Sequence, residues 1–140
     1  MGNFAVIDTE TTWSDRVMSI GVAVAREGSF GLVDSRYYIL TPEYRAGGMY
    51  SDVLDLVAAE HTRTAGRGKA LEELRCWLRD LEVEKIFAYN ARFDRTHLPE
   101  LGEFAWFDIM RLAAYRQYNP AIPDWADCCT TGRLKRGSTP

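Results

Sequence analysis

The chain has little of what marks a secreted, membrane-spanning or strongly basic protein. Its 140 residues hold three cysteines, Cys76, Cys128 and Cys129. An odd number with one vicinal pair makes a poor disulfide framework and suits a reducing, cytoplasmic setting. Only His61 and His97 supply imidazole, which gives the vicinal cysteines few partners for a zinc site. No apolar run approaches the roughly 20 residues that cross a bilayer. No basic segment precedes an apolar stretch at the N-terminus, and Asp8 and Glu10 interrupt the first such stretch, so a signal peptide is not expected. An excess of positive charge is also missing: 17 Lys and Arg stand against 20 Asp and Glu, a net charge of −3. That excludes tight non-specific binding to duplex nucleic acid, which depends on neutralising many phosphates. It does not exclude a nuclease, because metal ions held by carboxylates can supply the positive charge at a reacting phosphate.

What is present fits one globular domain, residues 1–140, with 46% hydrophobic and 26% charged residues. A chain of this size buries on the order of two-thirds of its unfolded surface. The apolar run Phe4-Ala5-Val6-Ile7 predicts a strand over residues 3–8. Val17–Ala25 and Leu32–Leu40 predict two more, separated by a turn at Gly28 and Gly31, an antiparallel meander. A helix is expected from Ser51 to Glu60, followed by a polar loop, His61 to Gly68. Leu71, Leu74, Trp77, Leu78 and Leu81 recur at helical steps over 69–81. A short strand (85–89), a short helix (91–98) ending before Pro99, a strand (103–107) and a helix capped by Asp108 and running to about Tyr118 complete the ordered core, 3–118. The pattern dissolves over 119–140. A meander followed by alternating strands and helices predicts an α/β protein with a mixed five-stranded sheet, three antiparallel strands plus two parallel ones, and flanking helices.

Asp8 and Glu10 carry the first chemical signal. Residues i and i+2 of a strand face the same side, and two carboxylates on one face form a site for a hard cation. Taken alone, Asp-x-Glu is better explained by a strand running out into a polar turn. The hydroxyls of Thr11 and Thr12 follow it. A second acid, Asp94, lies on the first turn of a helix after Tyr89-Asn90-Ala91-Arg92-Phe93, where an acid also complements the helix dipole.

With these two runs the sequence resembles the DEDD superfamily of 3′–5′ exonucleases, of the DNA polymerase III epsilon and ribonuclease T type. Phe4 to Thr12 is similar to that family's first motif, Asp-x-Glu after an apolar strand. Tyr89-Asn90-Ala91-Arg92-Phe93-Asp94 is similar to its second, His/Tyr-Asn-x-x-Phe-Asp, and Phe107-Asp108 to the strand-Asp-helix step that follows. The resemblance covers roughly residues 3–118 and implies a ribonuclease H-like fold. It implies two Mg²⁺ or Mn²⁺ ions, about 3.5–4 Å apart, held by Asp8, Glu10 and Asp94 together with a fourth acid. The reaction implied releases nucleoside 5′-monophosphates from the 3′ ends of single-stranded DNA or RNA. Thr9, Thr11, Thr12, Asn90, Phe93 and His61 are the substrate-binding candidates. For Phe93, packing of the short helix on the sheet is the favoured role, and Asp108 is expected to cap its helix. Arg92, Arg95, Arg63, Arg67, Arg133, Lys135 and Arg136 are candidate backbone contacts, each of them more often a solvated surface charge.

The fourth acid of the family lies in a third motif, His-x₄-Asp or Tyr-x₃-Asp. His61 leads five positions on to Gly66 and His97 to Gly102; Tyr115 leads four positions on to Asn119 and Tyr118 to Ile122. None fits. The expectation is therefore a chain stopping before the C-terminal helices, with a partly uncovered sheet face favouring self-association. A polymerase partner is also compatible with the resemblance. A non-catalytic metal- or nucleic-acid-binding fragment is the alternative to an active enzyme. His97, three residues after Asp94 on one helix face, is either a substitute base or a plain surface histidine. A haloacid-dehalogenase-like phosphotransferase would need Asp-x-Asp followed by Gly-Thr, and Glu10-Thr11-Thr12 departs from that.

Overall fold

A computed structural model of the chain describes residues 2–51 and 62–118. The helix expected over 51–60, apart from Ser51, the candidate His61 and the tail 119–140 lie outside the described residues. Three strands form the meander: β1 (Asn3–Thr11), β2 (Val17–Arg26) and β3 (Leu32–Leu40). Then come β4 (Thr62–Ala65), α1 (Arg67–Asp80), β5 (Val83–Ala88), α2 (Ala91–His97), β6 (Ala105–Asp108) and α3 (Ile109–Tyr118). The sheet order is β4-β3-β2-β1-β5-β6. β1, β2 and β3 pair antiparallel, whereas β4 runs parallel to β3, β5 to β1 and β6 to β5.

The mixed sheet with helices against it is the expected α/β class, but it has six strands and not five. The additional strand, β4, falls where a polar loop was expected. Its Thr-Arg-Thr-Ala alternation suits an edge strand: threonine favours the pleated backbone, and an exposed polar edge discourages pairing with other chains. The glycine and arginine content of the segment masked that alternation.

One face of the sheet holds the core. Ala5, Ile7 and Thr9 of β1 are buried there, beside Ile20, Val22 and Val24 of β2, Tyr38 and Leu40 of β3, Ile86 of β5 and Trp106 of β6. Helix α1 lays Ala70, Leu71, Leu74, Trp77 and Leu78 across them, the period expected from the sequence. The other face carries Phe4, Val6, Asp8 and Glu10 of β1, opposite Ala25, Ala23, Gly21 and Ser19 of β2. Phe4 meets Phe87 edge-on at 5.4 Å, and Phe87 stacks on Phe107 at 5.2 Å, which fills the β1–β5–β6 side of that face. Val6 beside them stays 36% exposed.

Candidate active site

Strand β1 runs further than the apolar run alone indicates. Pairing continues through Asp8↔Gly21 and Glu10↔Ser19, and the register shifts between Glu10 and Thr11. Asp8 and Glu10 therefore stand on the strand itself, on its open face, and the irregularity just beyond them bends the chain away. Gly21 leaves room above β2. The Tyr37 ring of β3 fills it, 3.4 Å from where a Gly21 Cβ would lie.

Asp94 reaches the pair from below. Its carboxylate is 2% exposed and accepts two hydrogen bonds from Thr9, from the backbone N–H at 3.0 Å and the hydroxyl at 2.7 Å. The residue between the two acids of the first motif thus anchors the acid of the second. Asn90 makes this docking possible. It adopts left-handed backbone angles (φ 60°, ψ 52°), a conformation asparagine tolerates better than most residues, and its N–H donates to Asp108 Oδ1 at 3.0 Å. Asp108 is buried, accepts also from the Met110 N–H at 3.0 Å, and so caps α3 as expected.

The three carboxylates share an electrostatic field. Burial raises the Asp94 pKa, and the neighbouring Asp8 adds to the rise against the Thr9 hydrogen bonds. Partial burial raises Asp8 as well, opposed by the Thr9 backbone. Glu10 is raised by burial and then by the charges of Asp8 and Asp94. The Tyr37 phenol is raised too, mainly by burial, with Glu10 and Asp8 adding to it and Ser19 opposing. Oxygen-only carboxylate donors with their charge disfavoured are the chemistry that Mg²⁺ or Mn²⁺ suits. Among the described residues, no three ligating groups close on one point.

Around Asp8 and Glu10 lies a cleft of about 430 Å³, lined by Asp8 to Trp13, Asp15, Met49, Tyr50 and Phe93. Of the substrate candidates, Thr11 and Phe93 face it. Contrary to expectation, Phe93 does not pack α2 on the sheet; it is 38% exposed and lies against His97 at 4.2 Å between ring centres. Ala91, Asp94 and Leu98, at helical spacing, take the inward positions instead. Thr9 and Thr12 border the cleft, but their hydroxyls are engaged within the protein. Thr12 pairs with Ser14 at 3.1 Å and accepts the Arg16 N–H at 3.2 Å, closing the β1–β2 turn. Asn90 is exposed at the turn before α2.

Trp13, Met49, Tyr50 and Tyr37 escaped the sequence reading. Trp13 is 73% exposed and its backbone N–H donates to the Gly47 carbonyl at 3.3 Å, tying the turn to the loop of Met49 and Tyr50. Gly48 permits that approach. A Cβ there would collide with the Thr11 carbonyl oxygen and sit 3.2 Å from the Thr12 Cα, both backbone atoms that cannot swing aside. Gly48→Ala should therefore push the loop off the cleft and cost roughly 1–3 kcal/mol, as overpacking does. Thermal unfolding checks it; an unchanged melting temperature would show that the loop closes without this contact.

His97 has no nitrogen left for the substitute-base role. It donates from Nε2 to Asp15 Oδ1 at 2.9 Å and from Nδ1 to the Phe93 carbonyl at 2.8 Å. Neither partner can donate, so only the imidazolium satisfies both. Burial opposes the charge, but the Phe93 carbonyl and the Asp15 and Asp94 carboxylates outweigh it, and the pKa is raised. Stability from this clasp is complete below the unfolded-state histidine value, about 6.5, and disappears as pH rises through the higher folded-state value. With Asp15 72% exposed, the loss should be about 0.5 kcal/mol. His97→Gln should flatten that part of the stability–pH curve; parallel curves for the two proteins would rule the clasp out.

Two solved structures resemble this fold. One is described as a full-length 3′-exonuclease, at 12% identity and a TM-score of 0.59, matching 86% of this chain and 64% of that one. The other is the nuclease domain of 3′hExo, a DEDDh family member, bound to rAMP, at 12% identity and a TM-score of 0.57, matching 83% and 70%. The chain shares its fold with these two nucleases. The chain spans just under two thirds of the first of these relatives. No protein-family profile and no curated protein matches the sequence. Strand β1 and the helix after β5 bring Asp8, Glu10 and Asp94 toward one another.

Proposed function

We propose that the chain is a divalent-metal-dependent 3′–5′ exonuclease acting on single-stranded DNA or RNA ends and releasing nucleoside 5′-monophosphates. The observation that carries this reading is the pair of hydrogen bonds from Thr9 to Asp94. They lock the acid of the second motif beside the two acids of the first, on a fold shared with 3′-exonucleases.

Asp8, Glu10 and Asp94 would hold Mg²⁺ or Mn²⁺, which when bound supplies a nucleophile at neutral pH and neutralises charge at the phosphate. Thr9 holds Asp94 in its rotamer, so its role is positional. Trp13, Tyr50 and Phe93 offer exposed ring surface at the cleft on which unpaired bases can stack, a contribution of about 1–3 kcal/mol per base. A duplex end has its bases stacked already, which favours a single strand.

Incubation of the chain with a 5′-labelled single-stranded oligonucleotide and Mn²⁺ tests the reading. The expected result is a ladder shortened one nucleotide at a time from the 3′ end. An intact oligonucleotide at protein in excess of substrate, with the protein shown to be folded, would sink it.

A further inference from the structure

Two rows of side chains cross the open face of the sheet beside the acids. One runs from Asp8 of β1 through Gly21 of β2 to Tyr37 of β3. Glycine in the middle leaves the space over β2 empty, and the Tyr37 ring leans into it. The next row places Ser19 of β2 directly opposite Glu10, where the Cβ atoms of facing residues stand about 4.5–5.5 Å apart. Ser19 is 1% exposed. Its hydroxyl hydrogen-bonds the Tyr37 phenol and opposes the rise in the phenol pKa, as a donor to the phenol oxygen does. The phenol is therefore carried across Gly21 to the serine that faces Glu10.

With Ser19 as donor, the phenol's own proton is left for another acceptor. Two carboxylates act on the phenol, Glu10 more strongly than Asp8. Burial and those charges keep it protonated at neutral pH, so it serves as a donor and not as a base. The acids differ in what holds them. Thr9 hydrogen-bonds Asp94 and, through its backbone, Asp8. No hydrogen bond is among the influences on Glu10, which are burial and the charges of the other two acids. A carboxylate that ligates a cation must be ionised. A hydrogen bond to the ionised form favours that form and fixes which oxygen faces the ion.

We propose that Tyr37, anchored by Ser19, is the positioning residue for Glu10: its phenol donates to the ionised Glu10 carboxylate when the three acids share a divalent cation. This deepens the reading of Asp8, Glu10 and Asp94 as a cation site and rests on it.

Mn²⁺ titration of the full chain at pH 7, followed by the electron paramagnetic resonance of the free ion, tests the proposal without requiring turnover. Tyr37→Phe should bind Mn²⁺ roughly tenfold more weakly, the lower end of what losing a hydrogen-bond partner of a metal ligand costs. In EDTA the same variant should unfold within about 5 °C of the wild type, because only a hydroxyl is removed. In a Glu10→Gln background the substitution should change affinity by less than about twofold, since its partner is already gone. Ser19→Ala keeps the phenol but releases its anchor, and should lose affinity by less than Tyr37→Phe. Wild-type affinity in Tyr37→Phe, or in Ser19→Ala should Tyr37→Phe fail to fold, would overturn the proposal and leave the cation site standing. So would an equal loss for Tyr37→Phe with and without Glu10→Gln, which would mean that the phenol does not act through Glu10. Absence of saturable Mn²⁺ binding by the folded wild type would sink the cation site and this proposal with it.

Discussion

Asp8→Asn should reduce mononucleotide release by a factor on the order of 10³ or more, beyond the roughly 10²–10³ lost with a single oxyanion-hole donor. The reason is position. Asp8 stands on the open face of β1, its charge felt by both Glu10 and Asp94, so its loss disrupts any ion the three share. The same substitution should leave the metal-free protein as stable as the wild type or more so. Asp8, Glu10 and Asp94 all have pKa values raised in the folded state. Without metal, the stability linked to their protonated forms is complete below the unfolded carboxylate range, near 4, and is lost as pH rises through the raised folded values. Asparagine keeps the neutral form at pH 7. The gain should be about 0.5 kcal/mol, given how much of Asp8 water screens. Mn²⁺ at 100 times its dissociation constant should stabilise the wild type by about 2.7 kcal/mol, reversing the order of the two proteins. Loss of activity accompanied by a lower melting temperature in EDTA would instead point to a structural role for Asp8.

Trp106→Ala should be the most damaging single core substitution. The indole is 2% exposed and its Nε1 donates to the Leu101 carbonyl at 3.0 Å. Removing a buried Trp costs roughly 3–5 kcal/mol, and the Leu101 carbonyl loses its partner as well. Against a total of about 5–15 kcal/mol, that is a large fraction, with a melting temperature lower by on the order of 10–20 °C. The effect should reach the site, because β6 also presents Asp108, which holds the Asn90 amide. Trp106→Phe keeps most of the volume and should lose only about 1–2 kcal/mol with the hydrogen bond. Equal melting temperatures for the Ala and Phe variants would contradict this account of the core.

The periodicities that could be read were the ones imposed by burial on a single face. Leu71, Leu74, Trp77 and Leu78 announced α1 because its inward stripe must be apolar, and apolar-rich segments split by glycine turns announced the meander. β4 went unread because an edge strand carries little apolar signal and its threonines sat among glycines and arginines. Asp8, Glu10 and Asp94 were legible as candidates because strand parity and helix position are local rules. The contact that joins them, Thr9 to Asp94, spans 85 positions and has no local signature. Tyr37 was invisible for a related reason: it meets the acids only through the register Asp8↔Gly21↔Tyr37, which becomes known only when the strands are paired. Phe93 was assigned inward because aromatics usually are. Three smaller or polar neighbours, Ala91, Asp94 and Leu98, already occupied that side of α2. His97 was read as a lone side chain, and its partner Asp15 lies 82 positions away.

The central claim is that Asp8, Glu10 and Asp94 form one divalent-cation site. Calorimetric titration of Mn²⁺ into the wild type, Asp8→Asn, Glu10→Gln and Asp94→Asn tests it most directly. The account predicts saturable binding by the wild type and a loss of at least about tenfold in affinity for each variant, the scale on which metal sites respond to changes in their ligand shells. Wild-type affinity in all three variants, or no binding by the folded wild type, would contradict it.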